Sequence, residues 1–102
     1  MAMGSTQPFR PAGTVSLAAG TSSVAAALAG GGESVVVTNT TTALAYVRLG
    51  ADATVAAGTR DMPVLPGSRV MLAANPLITY AAAVLATGSG TVLFTRGDGS
   101  FV

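Results

Sequence analysis

Apolar and polar residues alternate along most of this chain in short runs, and turn-forming residues cut the runs at close intervals. In residues 14–18, Val15 and Leu17 alternate with polar or small neighbours, the period of two that buries one side of a strand. Residues 33–39, ESVVVTN, give the clearest strand, because three successive valines suit a pleated surface. In residues 44–50, LAYVRLG, the same period places Ala45, Val47 and Leu49 on one face and Leu44, Tyr46 and Arg48 on the other. Residues 23–29, SVAAALA, are ambiguous. Alanine favours helix, but the run is too short for an independent helix, and Val24, Ala26 and Leu28 also fit a period of two. A weaker strand is expected at 53–57, ATVAA, and further strands at 69–73, at 77–85 and at 91–96.

The breaks are equally regular. Gly30, Gly31 and Gly32 stop the alanine-rich run, and TNTTTA at 38–43 turns the chain. MPVLPGS at 62–68 carries two prolines, which fits an irregular edge or a turn and argues against a central strand. Pro66-Gly67 is a turn signal, since proline presets φ and glycine supplies the positive φ that follows. Asn75-Pro76 and TGSG at 87–90 complete the set. Seven or eight short strands with hairpin-like connections predict an all-β fold, an antiparallel β-sandwich or jelly-roll-like barrel. Residues 1–12 read as an extended N-terminal arm and 13–102 as a single β-sandwich domain. No helical period and no internal repeat appear.

Composition sharpens this picture. Only 9% of the 102 residues are charged and 50% are apolar, against roughly 25% charged in ordinary soluble domains. A small domain has much surface, so apolar and small residues must reach it. That surface either mates with other chains or is simply neutral and weakly polar, and permanent association is the favoured reading. The most apolar run, 77–86, has about half of the ~20 residues that a membrane span needs. The first residues have neither the basic start nor the apolar stretch of a secretory signal. All five basic residues are arginines and are scattered, at a net charge of +1, which disfavours nucleic-acid binding through a basic patch.

The chain has no His, Cys or Lys. The usual general base, thiol nucleophile and Schiff-base amine are therefore missing, and zinc and transition metals lose their preferred ligands. Four carboxylates remain, Glu33, Asp52, Asp61 and Asp98. Two of them in one site would serve a glycosidase-type reaction, but loop aspartates more often bond turns and caps. The expectation is no enzyme, no cofactor and no metal. The Arg96-Gly97-Asp98 triplet reads as turn chemistry after a strand rather than as an adhesion motif. The triple glycine reads as a flexible hairpin, because a phosphate cradle needs a following helix.

Five of the nine charged residues, Arg48, Asp52, Arg60, Asp61 and Arg69, fall within residues 46–70. Arginine presents a planar fork that matches a carboxylate. Arg48 with Asp52 or Asp61 is the expected structural ion pair, fastening the loop of residues 50–66 onto the sheet. Arg60 and Arg69 can face a partner equally well. Phe9 stands alone among the polar residues of the arm and docks either on a neighbour or on the domain's own edge.

Two stretches, SVVVTNTTTALAYVRLGADATVAAGTRDMPVLPGSRVML and GSGTVLFTRGDGS, resemble small β-rich virion structural proteins encoded in tailed-bacteriophage structural gene clusters. The likeness covers residues 33–100 and lacks a catalytic signature. It implies a capsid decoration (cement) protein or a neck, tail or fibre component, assembled in the host cytoplasm and residing on the virion. A receptor- or glycan-binding module is the alternative from another class. The implied partners are the major capsid protein or neighbouring virion proteins and further copies of the chain, a trimer being the first expectation. Phe9, Arg10, Phe101 and Val102 are the expected intersubunit contacts, since they are anchors outside the core strands.

Overall fold

A computed structural model describes residues 10–74 and 77–98. Eight strands follow one another: β1 (Arg10–Ala19), β2 (Val24–Ala27), β3 (Ser34–Asn39), β4 (Ala45–Gly50), β5 (Met62–Val64), β6 (Arg69–Ala73), β7 (Tyr80–Leu85) and β8 (Gly90–Asp98). They form two four-stranded antiparallel sheets, ordered β1-β8-β3-β6 and β2-β7-β4-β5. The pairs β1 with β8, β2 with β7, β3 with β6, and β4 with β5 nest inside one another. The chain is thus one long folded ribbon with the β4-β5 connection at its tip. Wrapping that ribbon adds the pairs β3 with β8 and β4 with β7. This is the strand order of a jelly roll, in the sandwich-like arrangement that the strand pattern predicts.

The inner faces follow the period of two. Leu17 and Ala19 of β1, Val92 and Phe94 of β8, and Val35 and Val37 of β3 face Ala45 and Val47 of β4, Val64 of β5, and Ala81, Ala83 and Leu85 of β7. All of these are buried, with Phe94 the largest fully buried side chain. A core of alanine and valine lets the sheets approach closely, and one phenylalanine fills the centre. Ala45 and Val47 are buried while Arg48 is exposed, as the alternation in 44–50 requires.

Five expectations need correction. Residues 30–32 form no hairpin, because the strands they join, β2 and β3, belong to different sheets. Residues 53–57 form no strand. Asp52 accepts hydrogen bonds from the backbone N–H of Thr54 (3.0 Å) and from its hydroxyl, which bends the backbone into a turn that competes with a ladder. Arg96, Gly97 and Asp98 are not a turn but the last three residues of β8. Their backbone pairs with β1, which begins at Arg10, so residues 10–12 of the expected arm belong to the sheet. A Cβ at Gly97 would lie 2.1 Å from the Arg10 carbonyl oxygen, so the glycine serves close strand approach there. The strand expected at 77–85 starts only at Tyr80. Pro63 behaves as an edge residue, opposite Tyr46 in β5, the outermost strand of its sheet, and Pro66 stands in the turn that follows.

Two buried polar groups close the ends of the sandwich. At the end holding Asn39, that side chain is fully buried. Its amide donates to the carbonyls of Ala43 (2.8 Å) and Val64 (2.9 Å). Its oxygen accepts from the Thr41 N–H (3.0 Å) and hydroxyl (2.6 Å). Its backbone joins the β5-β6 turn through the Ser68 carbonyl and the Gly67 N–H, each at 2.9 Å. At the opposite end Arg96 is 4% exposed, although charged. It shares the inner face of β8 with Val92 and Phe94. Nε donates to the Gly32 carbonyl (3.1 Å) and Nη1 to that of Ile78, tying the β2-β3 and β6-β7 connections together.

Candidate interaction surfaces

Residues 51–61 connect β4 to β5, two adjacent strands, yet take a far longer path than a hairpin needs. Asp61 caps its own turn by accepting from the Gly58 N–H (2.7 Å). Its other oxygen lies 3.7 Å from Arg48 Nη1. Of the two expected partners of Arg48, Asp61 is therefore the one beside it, while Asp52 is engaged by Thr54. The Thr54 hydroxyl, and next its N–H, hold the Asp52 carboxyl below its ordinary value. With Arg48 61% exposed, the pair is a surface contact worth under about 1 kcal/mol. Arg10, Arg60 and Arg69 are exposed. Phe9, Phe101 and Val102, expected at subunit contacts, lie outside the described residues.

The three aspartates are occupied in structural bonds. Asp98 accepts from the Glu33 N–H at 2.9 Å, Asp52 holds Thr54, and Asp61 holds Gly58. Among the described residues no group of three metal-ligating side chains converges, and no helix is long and apolar enough to cross a membrane. A cleft of about 600 Å3 opens at the Arg96 end, with Leu49, Ala74 and Ile78 among its walls and Glu33 and Ser34 at its polar side. Its walls are mainly aliphatic.

The surface that stands out is the outer face of the β1-β8-β3-β6 sheet. Register places Ser16, Leu93, Thr38 and Arg69 in one row across it, and Thr14, Thr95, Val36 and Met71 in the next. The Thr14 and Thr95 hydroxyls bond each other across β1 and β8 at 2.9 Å. Ser16, Ala18 and Thr91 are exposed, Thr38, Met71, Leu93 and Thr95 are half-buried, and Val36 in the middle of its row is buried. Across four strands, the one charged side chain in these rows is Arg69, on the outermost strand. Hydroxyl and small apolar groups make a flat surface that sheds its water at low cost, whereas ions would resist desolvation.

Two residues that organise the molecule were not singled out from the sequence. The pattern places Asn39 at the end of a strand and in the turn after it, and Arg96 at the end of a strand and in its triplet, with no buried role for either. A usable signal existed for Arg96: extending the alternation of Val92 and Phe94 by two residues puts it on the inner face. For Asn39 the alternation of Val35 and Val37 does the same. Comparison with protein-family models, with curated proteins and with solved structures finds no match.

Proposed function

We propose that this chain is a non-enzymatic virion structural protein, a decoration protein that adds to the outside of a phage capsid and stabilises it by contact with the capsid protein and with its own copies. The observation that carries the reading is the outer face of the β1-β8-β3-β6 sheet, four strands wide and nearly free of charge. A jelly roll serves many roles, so the argument rests on this surface and on the sequence stretches quoted above, not on the fold. Repeated contact needs flat complementary area and no reactive side chain, which suits a chain lacking His, Cys and Lys.

The test is to charge the face without disturbing the sandwich. Ser16 and Thr91 are exposed strand residues, so the double variant Ser16→Glu, Thr91→Glu should fold and melt like the parent. It is expected to bind capsids lacking the protein at least tenfold more weakly, a loss of about 1.4 kcal/mol. Unchanged capsid binding by the folded variant would remove this face from the interface.

A further inference from the structure

We propose that residues 51–61 are a detachable strap, latched across the outer face of the β2-β7-β4-β5 sheet and able to lift while the sandwich stays folded. Three anchor points define its path. Val55 sits above Gly50: a Cβ at Gly50, on the same face as Tyr46 and Arg48, would lie 2.6 Å from the Val55 Cβ. The Ala57 N–H then donates to the Ser23 hydroxyl at 2.8 Å, just before β2. Asp61 finally returns to Arg48 on β4.

The register gives the course between these anchors. Gly50 is level with Tyr80 on β7. Ser23 precedes Val24, which is level with Ala83, so Ser23 stands at the end of β2 nearer Val84. The strap thus leaves β4 at one end of the sheet and reaches Ser23 beyond the start of β2 toward the other, and a straight course between these anchors passes over β7 near Ala82. Ala82 lies between Ala25 and Arg48 on that outer face, and it is fully buried. Burial there, on a face turned away from the core, fits cover by the strap; on the other sheet Val36 is also buried on the outer face, so burial supports the path and the anchors define it.

The fastenings are few and lie at the surface. No residue of 51–61 is itself buried. The latch comprises one exposed ion pair and one hydroxyl, with the Thr79 hydroxyl donating to the Ala51 carbonyl (2.9 Å) at the hinge. Segments with few buried contacts open at far lower free energy than the global value. The latch is also sensitive to salt, since ions screen an exposed pair. Lifting the strap would bare Ala82 and more of Ala25 and free the already exposed Arg48 from Asp61, opening a small apolar patch beside an unpaired guanidinium.

The chain has no cysteine, so single cysteines report opening cleanly. Ala82→Cys, under the strap, is compared with Ala83→Cys, fully buried on the inner face of the same strand. The Ala82→Cys thiol is expected to react at least tenfold faster, and faster again with Asp61→Asn added or with salt raised, while Ala83→Cys does not respond. Equal rates that move together would mean opening only by global unfolding and would overturn the proposal. Amide exchange on the unmodified protein covers the case in which a cysteine variant fails to fold. Exchange of the Ala57 amide well ahead of the β7 amides supports the strap. Exchange of both at one rate sinks it.

Discussion

Replacing Asn39 by alanine lowers the unfolding free energy by about 3–5 kcal/mol, read from urea denaturation at neutral pH. The side chain makes four hydrogen bonds, two donated and two accepted, inside a region closed to water. Each is worth about 1 kcal/mol net, and an orphaned buried group costs about 1–3 kcal/mol more. With the Asn39 oxygen gone, the single proton of the Thr41 hydroxyl can turn to the Ala43 carbonyl, 3.0 Å away. The Val64 carbonyl has no such second donor from Thr41, so the loss concentrates on β5, the edge strand that Asn39 pins. Asn39→Asp separates charge from shape. It keeps an acceptor for Thr41 but turns a carboxylate toward two carbonyls. Its folded-state pKa is raised, so its stability is greatest at low pH and is lost as pH rises above the ordinary aspartate value. A cost below about 1 kcal/mol for the alanine variant would contradict the role assigned to Asn39.

The second large effect belongs to Arg96. Arg96→Met keeps an unbranched stem between the sheets and removes the guanidinium, and it is expected to cost about 2–4 kcal/mol. The two carbonyls it serves lie on separate connections, Gly32 between β2 and β3 and Ile78 between β6 and β7. The loss should therefore appear locally as faster exchange of the Ala74 amide, which bonds Glu33 at 2.7 Å, and of the Leu28 amide, which bonds Thr79 at 2.8 Å. Arg96→Lys should restore only part of the stability, because an ammonium lacks the planar fork that reaches two carbonyls from fixed directions. Full recovery by lysine would show that charge alone matters. The same burial bears on the Arg-Gly-Asp triplet: its guanidinium is inside the sandwich and is not presented to a receptor by the folded protein.

Strand residues were legible where side-chain alternation and the core agree. Ala45, Val47 and Leu49 announced their face because burial demands a period of two. Pro63 marked an edge because a proline cannot donate to a ladder. The failures have equally local causes. ATVAA at 53–57 alternates acceptably, but Asp52 takes the Thr54 N–H first, and the long excursion to Ser23 is a tertiary contact that no local pattern records. The Arg-Gly-Asp triplet carries glycine, which suggests a turn. Glycine there is required by the approach of Arg10, a partner nearly ninety residues away in sequence. Of the fastening around Arg48, its outward direction could be read from the sequence. The choice of Asp61 over Asp52 could not, because it depends on the path of the strap.

The central claim, that the chain is a capsid decoration protein, is tested most directly by its copy number in purified particles relative to the major capsid protein. A ratio near one, or in a simple whole-number relation to the capsid lattice, is the predicted result and would support the decoration reading, with the nearly uncharged sheet face as the candidate contact. A copy number of a dozen or so per particle, or absence from particles, would contradict it.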